Sequence, residues 1–288
     1  MPSLLRSAAF GLLLVVWAAA ASAQLLSWDK DATCPGDGLN VEPVAEGRAQ
    51  VLRARRSGLL EATVAVSGSL SNAESSVPFP FTADAYGDGP TDLTRLRAWN
   101  TLKSWFFLHW IRWCPGRRGG VHDDAFVYSL PYDRGRTFAV LQAALGGYSH
   151  GSGSGAEQAI DFALPPGFTV RAARSGVIVA VRQDSTLGGP ERRFESCANY
   201  VVVRHSDGTY AAYAHLSRDS ALVAPGQAVE EGAALALSGN TGFSSGPHLH
   251  FDVYRPIDGA QRETIAVAFR TTAGVVRALE AGEEYTRP

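Results

Sequence analysis

The chain carries little net charge and few cysteines. Its 288 residues sum to a formal net charge of −2, with 19% charged and 45% apolar side chains. A chain this close to neutral lacks the basic excess on which broad nucleic-acid binding depends, so we expect no nucleic-acid partner. The three cysteines, Cys34, Cys114 and Cys197, allow one disulfide and leave one thiol over in an oxidising compartment.

Long apolar runs are also scarce. Arg6 precedes an apolar run over residues 8–21, which ends in Ala21–Ala23 (ASA) ahead of Gln24. A basic start, an apolar stretch that is short for a membrane span and a small-residue cleavage site are typical of a signal peptide, which we predict over residues 1–23. Since no second run of spanning length follows, we expect a mature chain without a membrane span, either secreted or periplasmic.

The N-terminal part of the mature chain holds most of its tryptophan. We predict an irregular lead-in over residues 24–45 and an immunoglobulin-like β-sandwich accessory domain over residues 46–136. Four of the five tryptophans outside the signal peptide lie within residues 94–113, which fits two strands or a strand and a helix. Such a cluster is typical of a core, and a carbohydrate-stacking surface is the alternative. We expect a Cys34–Cys114 disulfide with Cys197 free.

From residue 137 onward, short strands alternate with glycine turns such as Pro165–Gly167 and Ser206–Gly208. Almost no stretch has the pattern of a long amphipathic helix. We therefore predict a mainly antiparallel β domain over residues 137–288, with a C-terminal extension from about residue 256. The expected strands span residues 138–142, 159–163, 169–174, 176–181, 199–205, 210–216, 235–238 and 248–254.

Two of the seven histidines lie one residue apart after a glycine-rich turn. The turn, residues 238–247 (SGNTGFSSGP), leads into His248–Phe251 (HLHF). In an extended strand, residues two apart point to the same face and lie about 7 Å apart. The imidazoles of His248 and His250 therefore face one side, where one can bind a metal while the other reaches a substrate.

Three further segments place polar side chains in or beside predicted strands. Tyr213 and His215 share a face at the end of one strand, Asp161 lies in the middle of an apolar strand, and His150 precedes a flexible glycine–serine loop. Because a buried aspartate without a partner is costly, Asp161 should meet a cation or hydrogen-bond donors.

With these residues in view, the C-terminal part resembles the lysostaphin-type (LytM-like) zinc metallopeptidases, which have the duplicated hybrid motif fold and cut peptide bonds in bacterial peptidoglycan. The resemblance runs from about residue 138 to residue 254. It is carried by Ser149-His150, Ala159–Phe162 (AIDF), Pro166–Gly176 (PGFTVRAARSG), Asn199–His205 (NYVVVRH), Asp207–Leu216 (DGTYAAYAHL), Gly226–Val229 (GQAV), Ser238–Gly242 (SGNTG) and His248–Phe251 (HLHF).

The resemblance implies separate roles for five residues, as zinc ligands or as catalytic histidines. His150, Asp161 and His250 would be the ligands of one zinc ion per chain, a donor set that leaves the fourth position for water. His215 and His248 match the two histidines of the family that are not ligands. One or both would orient or deprotonate the water and stabilise the oxyanion, since the chain has no HExxH glutamate.

The spacing of the first two ligands departs from that of many family members, which have a histidine four residues before the aspartate. Here that position is Glu157, and His150 lies eleven residues before Asp161. We choose His150, because Glu157 would place two carboxylates on the metal and weaken its effect on the acidity of bound water. The loop over residues 151–155 is long enough to bring His150 back beside Asp161.

The expected function is that of a zinc metalloendopeptidase acting on the peptides of peptidoglycan, with the metal held by residues 137–288 alone. One alternative is a catalytically weak or inactive relative that binds the cell wall or activates a partner amidase. A carbohydrate-binding β-sandwich with the peptidase domain as passenger is a third reading, supported only by the tryptophans. The remaining histidines are expected to lie outside the site, His109 and His122 as structural residues and His205 at the surface.

Overall fold

The computed structural model describes residues 38–259 and 261–288. Apart from one short 3-10 helix, the regular structure within these ranges is β-strand. No helix among them is long and apolar enough to cross a membrane. The predicted signal peptide and Cys34 lie outside the described residues.

The N-terminal part forms two small antiparallel sheets. Its strands are β1 (Leu39–Glu46), β2 (Ala49–Arg56), β3 (Ala62–Ser71), β4 (Ala73–Ser75), β5 (Phe81–Ala85), β6 (Thr91–Ala98) and β7 (Phe106–Pro115). One sheet has the order β1-β2-β6-β4 and the other the order β5-β3-β7. Gly47 makes the tight turn between β1 and β2 with a φ of +63°, in the left-handed region that glycine enters without strain. The immunoglobulin-like arrangement stays a prediction.

Two expectations for this part need comment. The irregular lead-in predicted up to residue 45 is wrong over its last seven residues, because β1 starts at Leu39 and buries Leu39 and Val41 in the N-terminal core. The aromatic segment forms two strands, β6 and β7, and its side chains divide between two environments. Phe107 packs against the core, whereas Phe106 and Trp110 are exposed on the other face of β7.

The C-terminal part is built from shorter strands and the 3-10 helix Arg192–Cys197. Its strands are β8 (Val127–Ser129), β9 (Thr137–Gln142), β10 (Ile160–Phe162), β11 (Thr169–Arg171), β12 (Gly176–Arg182), β13 (Gly188–Gly189), β14 (Tyr200–Arg204), β15 (Tyr210–Ala214), β16 (Ala228–Val229), β17 (Ala234–Leu237), β18 (Gly242–Phe243), β19 (Leu249–Pro256), β20 (Arg262–Thr264), β21 (Ala268–Thr271), β22 (Gly274–Val276) and β23 (Glu284–Thr286). All eight strands predicted here are present, with ends within three residues of the prediction.

A nine-stranded sheet organises this part and confirms the mainly β, antiparallel fold class. Its order is β16-β12-β14-β15-β19-β10-β9-β23, and β20 pairs with β19 off this path. Neighbouring strands in it are antiparallel; the parallel pairs, β8 with β21 and β13 with β18, lie outside it. Strands β14 and β15 are largely apolar on both sides, because both faces of the sheet are covered there.

Two hydrophobic clusters lie on the two faces of this sheet. Val201, Val203 and Tyr213 point into the cluster of the C-terminal part. Val202 and Tyr210, on the other face, pack with the N-terminal sheets in a second cluster. The two parts of the chain therefore share a core rather than meeting only through a linker.

The boundary predicted at residue 137 divides a packed cluster. Tyr128, Leu130 and Tyr132 are fully buried among the side chains of the C-terminal part. The extension after residue 256 closes the same structure, since β21 pairs with β8 and β23 pairs with β9. A cut at residue 137 would thus remove three large side chains from the core that supports the site.

The expected cysteine pairing is wrong. Cys114 is a free, half-buried thiol whose Sγ lies 3.7 Å from the carbonyl oxygen of Asp258, and burial raises the pKa of this thiol to about 12. Cys197 is fully buried and disulfide-bonded. The register of β7 places Cys114 opposite Thr63, at the contact between the two parts of the chain, where its sulfur meets backbone rather than a second cysteine.

Candidate metal centre

Strand register brings two of the predicted ligands together. Asp161 in β10 lies directly opposite His250 in β19, and Ala214, which precedes His215, lies opposite His250 on its other side. Along β19 the apolar Leu249 is buried in the core behind the sheet, whereas His250 faces the site. The alternation that the HLHF sequence predicts is therefore realised.

The ligand atoms of His150, Asp161 and His250 converge within 4.8 Å of one another. His150 Nε2 lies 3.3 Å and His250 Nδ1 3.0 Å from Asp161 Oδ1. Zinc bonds of about 2.0–2.1 Å in a tetrahedron place ligand atoms roughly 3.3 Å apart, so these separations suit a zinc ion. Among the described residues, His150 Nε2 is buried and has no hydrogen-bond partner, which suits a nitrogen that binds a metal.

His150 lies in the loop between β9 and β10. Its ring lies 0% exposed, and its Nδ1–H donates to the carbonyl oxygen of Ala143 at 3.2 Å, which leaves the Nε2 lone pair for the site. Glu157 has another role in this structure, because its Oε1 accepts the Gly153 N–H at 2.7 Å within the same loop. Hydrogen bonds from backbone N–H groups, its own among them, lower the pKa of Glu157.

His215 and His248 stand beside the three convergent residues. The Nδ1–H of His215 donates to the Thr241 carbonyl oxygen at 2.6 Å, and that of His248 to the Gly246 carbonyl oxygen at 2.8 Å. Both rings are therefore held with Nε2 as the basic nitrogen, and their centroids are 4.5 Å apart. His215 has a φ of +63°, an uncommon conformation for a residue other than glycine and one that is enriched at functional sites.

The protonation of the cluster follows from burial and charge. Burial, followed by the neighbouring histidines, lowers the pKa of His215 to about 3, and burial also lowers the pKa of His248. Burial opposes the charged form of His250 as well, but hydrogen bonds to Asp161 and Asp252 outweigh it and raise the pKa of His250 to about 9. For Asp161 burial acts upward, yet its interactions with His150 and His250 hold its pKa well below the ordinary range.

The cluster lines an open groove of about 1100 Å³. Near the site, Tyr148 and Phe243 stack with ring centroids 5.7 Å apart and contribute to its wall. Trp113 and Pro115 from the N-terminal part also line the groove.

Comparisons with known proteins point to one family. Residues 155–264 match peptidase family M23. The matched range, 110 of the chain's 288 residues, is thus similar to an M23 peptidase domain. Four of the five predicted site residues lie within the matched range, whereas His150 precedes it by five residues. The assignment of His150 as a ligand therefore stays a prediction that the geometry favours.

Named relatives of the M23 domain include two curated enzymes and a solved structure. The peptidoglycan DD-endopeptidase ShyA of Vibrio cholerae is 38% identical over 111 residues, covering 38% of this chain and 23% of ShyA. The DD-carboxypeptidase/endopeptidase Mpg of Neisseria meningitidis is 37% identical over 112 residues, covering 39% of this chain and 23% of Mpg. The solved M23 metalloprotease pseudoalterin, from the deep sea, is 25% identical with a TM-score of 0.34, covering 49% of this chain and 76% of that chain. The match to each curated relative thus spans about a quarter of its length.

The three remaining histidines of the chain lie outside the group formed by His150, Asp161, His215, His248 and His250. His109 is buried in β7, and His122 pairs with Asp124 through Nδ1 at 2.8 Å. The surface position expected for His205 is wrong, because its side chain is only 2% exposed. The turn after β14 is covered by the segment that joins the two parts of the chain, with the Val121 N–H donating to the Asp207 carbonyl oxygen at 3.0 Å.

Sequence reasoning missed Asp252 and Arg262. Asp252 is 1% exposed, and its Oδ2 lies 3.0 Å from His250 Nε2 and 2.7 Å from a guanidinium nitrogen of Arg262. The sequence did point to Asp252, which follows His250 by two positions and is an acidic residue in an apolar strand. Asp161 is an acidic residue in an apolar strand in the same way. Arg262 offered no comparable signal, because it lies beyond the end of β19 and reaches back through a hairpin.

Proposed function

We propose that this protein is a secreted or periplasmic zinc metalloendopeptidase that hydrolyses peptide bonds of bacterial peptidoglycan. The observation that carries the proposal is the convergence of His150 Nε2, Asp161 Oδ1 and His250 Nδ1 beside two further histidines in an open groove. The similarity of residues 155–264 to M23 peptidases, and to relatives that are peptidoglycan DD-endopeptidases, supports peptidoglycan as the substrate.

The chemistry of the residues fits this role. Zinc held by the three convergent side chains would supply Lewis-acid activation of a water molecule and of the scissile carbonyl. His215 and His248 each present a basic Nε2, because backbone carbonyls accept their Nδ1–H groups. Either ring can take a proton from the attacking water and return it to the departing amine, and their closeness lets both act on one substrate.

The intact set of side chains favours an enzyme over a non-catalytic wall-binding or amidase-activating relative. A degenerate member would have lost metal-binding or basic groups, whereas here all five predicted residues meet at one place. The His215 and His250 ring centroids are 5.9 Å apart, so the basic group lies within reach of a water bound beside the ligands. Zinc content separates the two possibilities at once.

Digestion of purified peptidoglycan tests the function. The zinc-loaded full chain should convert cross-linked peptides to uncross-linked ones while leaving the sugar strands intact, as measured by mass spectrometry of the products. Chelation should abolish the conversion and added zinc should restore it. Asp161→Ala should be inactive, and His122→Ala, which lies outside the cluster, should keep its activity. Cross-links that survive prolonged treatment with zinc-loaded wild type would refute the proposal.

The ligand set is tested separately by metal analysis. We expect His150→Ala to lose zinc, because that ring supplies a buried nitrogen for which the described residues offer no other partner. Glu157→Ala should retain zinc, since its carboxylate is engaged with the Gly153 N–H. The opposite pattern would show that Glu157 replaces His150 on the metal.

A further inference from the structure

Asp252 is a buried carboxylate to which the proposed reaction gives no part. It follows His250 in β19 and faces the same side of the sheet. Its Oδ2 accepts two hydrogen bonds, one from His250 Nε2–H at 3.0 Å and one from Arg262 at 2.7 Å. Its side chain has no exposed surface, so its described partners are His250 and Arg262.

The hydrogen bond to Asp252 decides which nitrogen of His250 faces the ligand cluster. A neutral imidazole carries its proton on one nitrogen only. In the neutral ring that a metal requires, Asp252 as acceptor keeps the proton on Nε2, and this leaves Nδ1, which lies 3.0 Å from Asp161 Oδ1, as the nitrogen for the metal. Without this acceptor, the Nδ1–H form would be favoured by Asp161, and the nitrogen needed for a metal would be blocked.

Arg262 links the carboxylate to the loop that carries His150. Its Nε–H donates to the carbonyl oxygen of Gly155 at 3.0 Å, while a terminal nitrogen holds Asp252. The guanidinium carbon lies 4.7 Å from the centre of the Tyr254 ring. The Arg262 side chain therefore links the loop that carries His150 to Asp252, the hydrogen-bond acceptor of His250. It thus connects two ligands that lie 100 residues apart in the chain.

We propose that Asp252 and Arg262 are positioning residues of the metal centre, with Asp252 orienting His250 and Arg262 holding both Asp252 and the His150 loop. The inference rests on the proposed zinc site and adds residues that bind no metal themselves. Acceptors of this kind, behind a histidine ligand, typically contribute about 10–100-fold to metal affinity.

The same hairpin offers a matched control. Arg255 and Glu263 form an ion pair of 2.8 Å between β19 and β20, as Arg262 and Asp252 do, but both side chains are exposed, at 38% and 50%. Arg255→Gln removes an arginine–carboxylate pair from this hairpin without touching a ligand. A general loosening of the hairpin would affect both pairs, whereas positioning of the ligands requires only the buried one.

The test is a zinc competition titration of the full chain with a chromophoric chelator. We expect Asp252→Ala to weaken zinc binding about 10–100-fold, Arg262→Gln to weaken it in the same direction, and Arg255→Gln to stay within about twofold of wild type. Asp252→Asn keeps a carbonyl acceptor and should bind zinc with an affinity between those of wild type and Asp252→Ala. Thermal unfolding of the metal-free proteins identifies any variant that fails to fold. If Asp252→Ala fails to fold, the zinc affinities of Asp252→Asn and Arg262→Gln test the inference.

A spectroscopic signature separates positioning from mere support. In the zinc-loaded wild type, nitrogen-15 NMR should show a His250 Nε2–H that exchanges slowly with solvent, and this signal should persist in Asp252→Asn and vanish in Asp252→Ala. Unchanged zinc affinity in folded Asp252 and Arg262 variants, beside a wild type that binds zinc, would overturn this inference alone. A wild type that binds no zinc would overturn the metal centre and this inference with it.

Discussion

His205 should make the stability of this protein fall between pH 6.5 and pH 4. The side chain is 2% exposed, its Nδ1–H donates to the Ser175 carbonyl oxygen at 3.0 Å, and its Nε2 has no partner among the described residues. Burial, with Arg174 nearby adding to the effect, lowers the pKa of His205 from 6.5 to about 4. Between pH 4 and pH 6.5, His205 is therefore protonated in the unfolded chain and neutral in the folded chain.

The size of the effect follows from the shift. Each pKa unit corresponds to about 1.4 kcal/mol, so a depression of roughly 2.5 units amounts to about 3 kcal/mol. This stabilisation is fully present above pH 6.5, where the ring is neutral in both states, and is lost progressively as the pH falls to 4. Below pH 4 both states bind the proton and the contribution of His205 levels off.

Urea unfolding at a series of pH values measures this loss. Wild type and His205→Asn are compared with a chelator present, so that release of metal does not contribute. Asparagine can keep a donor for the Ser175 carbonyl oxygen but does not titrate. The free energy of unfolding should therefore fall by about 3 kcal/mol less in the variant than in wild type over this range. Parallel curves for the two proteins would show that His205 is not the buried neutral group described here.

Two further predictions concern the contact between the parts of the chain and the two non-ligand histidines. Glu61→Ala removes a buried acceptor 2.7 Å from the hydroxyl of Tyr210 and should lower the free energy of unfolding by about 1–3 kcal/mol. Urea unfolding measures this loss, and the control Glu42→Ala, at a more exposed ion pair, should lower the free energy of unfolding by less than about 1 kcal/mol. Equal losses in the two variants would contradict the prediction. His215→Ala and His248→Ala should each keep zinc, as metal analysis would show, yet lower turnover of peptidoglycan by about 10²–10⁴-fold, because they act on the water and not on the metal. Loss of zinc from His248→Ala would reassign that residue as a ligand.

Much of the C-terminal fold was predictable because its strands are short, apolar and bounded by glycine turns. The two-residue period also predicted that His248 and His250 face one side, and a ring nitrogen of each lies within 3.7 Å of Asp161 Oδ1. Local pattern decided these features, and the structure confirms the strands they predicted. The same parity rule, applied one step further, would have found Asp252.

Features that depend on distant packing could not be predicted in the same way. His205 lies next to a turn signal, and nothing local shows that residues 116–123 cover that turn. The free state of Cys114 follows from the register of β7 against β3 and from the loop at Asp258, which come from different parts of the chain. Arg262 likewise acquires its role only when the hairpin of β19 and β20 meets the His150 loop.

The location of a bound zinc ion tests the central claim most directly. Anomalous diffraction at the zinc absorption edge, from crystals of the zinc-loaded full chain, would place the ion and identify its ligands. We predict one ion per chain, bonded at about 2.0–2.2 Å to His150 Nε2, Asp161 Oδ1 and His250 Nδ1, with the fourth position open to solvent. An ion bound through Glu157 or His248 in place of one of these ligands, or no anomalous peak at the cluster, would contradict the account.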